Sequence, residues 1–113
     1  MLKLKKELYD QLENWETEKH EILKDEELIG TAYTMLDTED DAEVYLEDIE
    51  IDKNYRGQGI GTWVINKLAE EYGFIYFAPT NENNKRLYER IAEEYAVNTP
   101  EVDQGFGVYF IEK

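Results

Sequence analysis

The chain has 113 residues, with 27 Asp plus Glu against 12 Lys plus Arg and a formal net charge of −15, a balance that repels phosphate backbones and anionic lipid and so excludes direct nucleic-acid binding. The length suits one domain, residues 1–113, that buries roughly two thirds of its unfolded surface, and a hydrophobic share of 42% separates it from a disordered acidic tail. It contains no cysteine, which removes disulfides and thiolate chemistry, and neither a signal-peptide core nor an apolar run near the roughly 20 residues that cross a bilayer is present, so a cytoplasmic protein without a membrane is expected.

From Leu4 to Ile22 the residues Leu4, Leu8, Leu12, Trp15 and Ile22 recur at three-, four- and seven-residue steps, which predicts an amphipathic helix. His20, the only histidine, falls among charges there and reads as a surface residue. Leu28–Leu36 is rich in strand formers, the acidic run Asp37–Asp41 follows, and Glu43–Asp52 forms a second strand, so an antiparallel hairpin is expected. Within that second strand the alternation changes phase at Glu47-Asp48: Val44 and Leu46 fall on one face, Ile49 and Ile51 on the other. Either one extra residue makes a β-bulge that re-aims the acidic side chains, or the strand is buried on both faces. Val64, Ile65, Leu68, Ala69 and Tyr72 mark a helix ending at Gly73. A short strand Phe74–Phe77, a helix carrying Leu87, Tyr88, Ile91, Ala92 and Tyr95, and a last strand Gly107–Ile111 complete a mixed α/β (α+β) domain. The stretch from Ala96 to Gln104, with Pro100, reads as irregular.

The segment Arg56-Gly57-Gln58-Gly59-Ile60-Gly61-Thr62 joins a strand to a helix. Its glycines clear side chains away from the backbone amides, and the helix start adds free N–H groups and a positive dipole end. Phosphate should bind there. Thr62 stands where a dinucleotide fingerprint needs its third glycine, and the Gly-Lys-Ser/Thr of a P-loop is missing. A ligand-free glycine turn is the alternative.

The run Tyr45–Gly61 resembles the central strand and pyrophosphate loop of GNAT acetyltransferases, whose Arg/Gln-x-x-Gly-x-Gly/Ala signature Arg56, Gly59 and Gly61 satisfy. Downstream, Asn81 and Tyr88 keep the seven-residue spacing of the family's second motif, in a Leu-Tyr-Glu context. The resemblance covers about Val44 to Tyr95. It implies a compact GNAT-like fold, a central and mostly antiparallel sheet flanked by helices, with a shortened N-terminal portion reduced to essentially one helix.

The same resemblance implies acetyl-CoA as cofactor, bound by backbone groups of Ile49 and Ile51, by Arg56, by Gly57, Gln58, Gly59, Ile60, Gly61 and Thr62 around the pyrophosphate, and by Asn81 and Asn84 along the pantetheine arm. Tyr88, protonated at neutral pH by a phenol pKa near 10, would protonate the departing sulfur, although its spacing also fits a core aromatic. Glu47 is the candidate general base or substrate anchor, with Asp48 beside it as a second substrate-binding carboxylate; plain solvent exposure is the alternative for Glu47. The tetrapeptide Tyr45-Leu46-Glu47-Asp48 is similar to the matching segment of polyamine acetyltransferases.

No metal site is expected: in the acidic run, Ala42 replaces the sharp-turn glycine of a calcium loop and Asp48 its bidentate Glu. Three functions fit these residues. The chain is an N-acetyltransferase for a small cationic amine such as a polyamine or amino acid; or its acceptor is a lysine of a basic protein, as for a phage-type effector; or it is an acidic, non-catalytic interaction or inhibitor protein that keeps the fold. Many members of the family form homodimers, and Trp63 is the residue here that would serve such a contact if it is not part of the core.

Overall fold

The computed structural model describes residues 1–11, 14–37, 44–77, 86–87, 98–101 and 108–112. Among these residues seven strands form one sheet: β1 (Leu2–Gln11), β2 (Trp15–Lys24), β3 (Glu27–Asp37), β4 (Val44–Ile51), β5 (Phe74–Phe77), β6 (Asn98–Glu101) and β7 (Val108–Glu112), with helix α1 (Ile60–Tyr72) between β4 and β5. The strand order is β1-β2-β3-β4-β5-β7-β6. Every neighbouring pair is antiparallel except β4–β5.

The N-terminal segment corrects the helix expected over Leu4–Ile22. It is a long hairpin instead, running from Leu2 opposite Lys24 to Gln11 opposite Glu16. Leu4 and Leu8 satisfy a helical step, yet Leu2 and Leu4 also alternate with Lys3 and Lys5, and Glu18, His20 and Ile22 alternate along β2. Period two wins because β3 offers β2 a ten-pair ladder from Trp15–Asp37 to Lys24–Glu27, and burial against a sheet outweighs the weak helix preference of Lys and Glu. The portion before β4 is therefore three strands, and His20 is wholly buried rather than on the surface.

β3, β4, α1, β5 and β7 follow the expected spans. Val64, Ile65, Leu68 and Ala69 of α1 are fully buried against Ile22, Ile29, Ala32, Val44, Ile75 and Phe77, and α1 ends at Gly73 with φ 86°, the left-handed cap that glycine adopts without strain. Trp63 is half-buried and packs on this core. Of the second helix, only the helical Arg86 and Leu87 are among the described residues. The stretch expected to be irregular contains β6, at the sheet edge beyond β7, where Pro100 is tolerated because a missing N–H matters least at an edge.

Gly30 explains how β3 and β4 approach so closely. A Cβ there would overlap the Glu50 carbonyl oxygen and lie 3.1 Å from Ile51 Cα.

Candidate active site

The phase change in β4 is a β-bulge. Thr34 pairs with Leu46 and Tyr33 with Asp48, so Glu47 is the extra residue between them. Val44, Leu46 and Ile49 all face the core, while Glu47 and Asp48 are exposed; the alternative of a strand buried on both faces does not hold. The bulge sits where β4 also loses its other neighbour. Pairing with β5 extends only over Tyr45–Tyr76 and Leu46–Phe77, so the edge from Glu47 to Ile51 has no β5 partner among the described residues. Extended main chain with free N–H and C=O groups is what an amide-containing ligand can pair with.

β4 then turns through a single 3₁₀ turn, Lys53–Tyr55, into the glycine loop. Arg56 Nε donates to the Ile51 carbonyl at 2.8 Å, tying the loop to the end of β4, and the residue stays exposed. Gly57 and Gly59 both have φ 79°, and a Cβ at either would meet nothing within 4 Å. Their requirement for glycine is thus conformational, and the space over them is open. Gly59 is the N-cap of α1; no side chain caps the helix, and no acidic residue lies in its first turn. The early N–H groups of α1 and its positive dipole end therefore face the loop uncompensated.

Lys24 adds positive charge from across the sheet. Its Nζ donates to Gln58 Oε1 at 3.4 Å and lies 5.6 Å from the centroid of the Tyr55 ring. Tyr55 in turn donates to Glu27 Oε2 at 3.1 Å, and that bond pushes its hydroxyl above the usual phenol range. Ile60, Gly61 and Thr62 are buried, so what they can offer a ligand is main chain. At Gly61 a Cβ would lie 2.9 Å from Leu87 Cδ2, which makes this glycine the contact point between α1 and the segment leading to Tyr88. Asn81, Asn84 and Tyr88 lie outside the described residues.

A cavity of about 320 Å³ opens beside the bulge, lined by Tyr9, Asp10, Thr17, Tyr33, Glu47 and Asp48. Four of these were not anticipated. Reading residues 4–22 as a helix conceals that Tyr9, Asp10 and Thr17 share a sheet with Glu47, and only the β1–β2–β3–β4 order brings them together.

The model of the acetyltransferase (GNAT) family matches residues 3–92. The chain belongs to the GNAT acetyltransferase family. Over 41 residues it is 51% identical to thialysine N-epsilon-acetyltransferase of Mus musculus, a stretch that is 36% of this chain and 24% of that enzyme. The chain thus matches about a quarter of the length of that curated relative. Among solved structures, a Bacillus subtilis acetyltransferase in complex with CoA superposes with TM-score 0.63 at 13% identity, over 98% of this chain and 99% of that one. A GNAT acetyltransferase from Elizabethkingia anophelis with acetyl-CoA bound gives TM-score 0.59 at 16% identity, covering 86% of this chain and 76% of its own. Both likenesses establish the GNAT fold for this chain. No helix of the described residues is long and apolar enough to cross a membrane, and among them no group of three or more metal-ligating side chains forms.

Proposed function

We propose that the chain is an acetyl-CoA-dependent N-acetyltransferase that acts on a cationic primary amine. The observation that carries this reading is the junction of the open β4 edge with an uncapped, acid-free α1 N-terminus through two glycines held at φ 79°. Those features suit the two ends of one ligand: an amide-bearing arm along β4 and a pyrophosphate at the helix start. The acetyl-CoA and CoA held by the relatives above agree with that fit.

Acetyl-CoA supplies an activated thioester. The chain's own residues position and move protons. Arg56 fixes the end of β4 through the Ile51 carbonyl, and Gly57 to Thr62 present main-chain N–H groups to the phosphates. Ile49 presents its main chain along the arm and Ile51 its N–H, the Ile51 carbonyl already accepting from Arg56, with Asn81 and Asn84 as further contacts to the arm. Glu47, pushed outward by the bulge and exposed, takes a proton from the incoming ammonium, directly or through water, because an amine with pKa near 10 arrives charged. Asp48 holds the substrate's charge beside it. The amine nitrogen then forms a bond to the acetyl carbonyl carbon, the carbon–sulfur bond breaks, Tyr88 gives its proton to the sulfur, and the surplus proton of the newly acylated nitrogen returns to the Tyr88 phenolate through water, leaving a neutral amide and a free thiol.

Calorimetric titration with acetyl-CoA tests the reading. Micromolar binding by the natural chain, lost in Gly59→Glu, is the expected result; a natural chain that takes up no acetyl-CoA would overturn it. Tyr88→Phe should lower turnover roughly a hundredfold or more while cofactor affinity stays close to the starting value, and undiminished turnover would remove Tyr88 from the mechanism.

A further inference from the structure

The cavity beside the bulge has a charge and an extent that the proton chemistry at Glu47 does not require. Its position follows from register. Lys6, His20 and Ala32 stand in line across β1, β2 and β3 on the face that α1 covers, since Lys6 Nζ donates to Glu71 of α1 at 2.9 Å. Tyr33 is flanked by the buried Ala32 and Thr34 and so points to the opposite face. The irregularity in β1 between Leu8 and Asp10 places Asp10 opposite Thr17 and lets Tyr9 meet Tyr33 edge-to-face, with ring centroids 5.2 Å apart.

Among the described residues the resulting basin is lined by three carboxylates, two tyrosines and one threonine, with Lys19 opposite Tyr33 on β2 as the cation standing nearest in register. Glu47 and Asp48 stand at the β4 end and Asp10 at the β1 end. Those strands are three spacings apart, roughly 14 Å between backbones. A monoamine whose nitrogen sits at Glu47 leaves Asp10 unmatched. Asp10 is held ready, because its Oδ1 accepts the Gln11 N–H at 2.9 Å. The Tyr9 and Tyr33 rings between the two ends suit methylene groups and a cation over a ring face.

We propose that Tyr9 and Asp10 of β1 determine acceptor specificity by binding the distal ammonium of an extended diamine whose reacting amine lies at Glu47. The assignment rests on the acetyltransferase reading for the reacting end and on the basin alone for the distal end.

The test uses spermidine and n-butylamine as probes. In an amide NMR titration without cofactor, spermidine should shift Tyr9, Asp10, Thr17, Tyr33 and Asp48, and butylamine should do so more weakly. In Asp10→Asn the spermidine-to-butylamine ratio of kcat/KM should fall roughly three- to fivefold, the scale of one partly exposed ion pair. The change should appear in KM. Tyr9→Ala should lower the ratio by a similar factor. A ratio unchanged in both variants, or spermidine shifts that cluster away from these residues, would overturn the proposal. Acetyl-CoA titration of the same proteins separates the two claims: normal cofactor binding with an unchanged ratio removes the basin assignment alone, and absent cofactor binding with basin shifts intact removes the acetyltransferase reading alone.

Discussion

His20 lies on β2 with none of its surface exposed, in a chain of polar groups between the sheet and the end of α1. Its Nε2 is 2.9 Å from Thr34 Oγ1, Thr34 Oγ1 is 3.3 Å from the Tyr72 hydroxyl, and Tyr72 donates to Glu18 Oε1 at 2.6 Å. Placing the imidazole proton on Nε2 lets each group donate to the next and leaves Nδ1, which has no partner, as a bare acceptor. The opposite tautomer would bury an unpaired N–H, which costs more. Burial drives the His20 pKa below its ordinary value, against the pull of Glu18 and Glu71 and together with the push of Lys6. Tyr72 is driven well above the phenol range, first by burial and then by its bond to Glu18, so it stays a donor at every working pH. The linkage has a definite sign. A histidine whose folded pKa is lowered contributes stability above its unfolded pKa, about 6.5, and that contribution is lost as pH falls toward the folded value. Denaturant midpoints measured from pH 8 down to 5 should therefore drop more steeply below about 6.5 in the natural chain than in His20→Gln. Parallel curves for the two proteins would show that His20 does not take up the proton on unfolding.

At the scale of elements, the pairing of β3 with β4 controls where the bulge falls, and Gly30 controls that pairing. Gly30→Ala should destabilise the protein by roughly 1–3 kcal/mol, because the new methyl meets main chain of β4 that cannot swing aside; an unchanged melting temperature would show that the strands part readily. The bulge itself was legible in the sequence, because two apolar pairs of opposite phase, Val44/Leu46 and Ile49/Ile51, can share one core only if a residue is inserted between them. The glycine loop, α1 and β5 were legible too, since helical spacing, Gly73 and a compact apolar tetrapeptide are local signals. β1 and β2 were not. Leu4, Leu8 and Trp15 satisfy a helical period by coincidence, and the evidence for a strand is held in β3, which supplies the ladder. The far half of the basin went unseen for the same reason: Tyr9 and Asp10 acquire a role only when β1 is laid three strands from Glu47. The Lys24–Gln58 contact likewise joins residues 34 apart and has no local signature.

The whole molecule measures 37 × 31 × 24 Å and carries a formal charge of −15. At 10 mM salt the screening length, roughly 30 Å, is comparable with the molecule itself, and at 150 mM it shrinks to about 8 Å. Two opposite responses follow. Added salt should raise the melting temperature by relieving self-repulsion, and over the same range it should raise KM for a cationic acceptor by weakening long-range attraction. A KM for spermidine that does not change with salt would show that the field of the protein plays no part in capture.

The negative charge also guards the two-pair junction between β4 and β5. Among the described residues β4 has no β5 partner from Glu47 to Ile51, and such an edge is an invitation to any other strand, including the same strand of another copy, which is how soluble proteins begin to aggregate. Here the open stretch carries Glu47, Asp48 and Glu50, all exposed, and its first residue is a bulge that breaks the hydrogen-bond repeat an intruding strand would need. Two copies meeting at this edge bring six carboxylates together. The side chains that would greet an amine thus also act as gatekeepers, so the gap can stay open to a small ligand while remaining closed to a second chain.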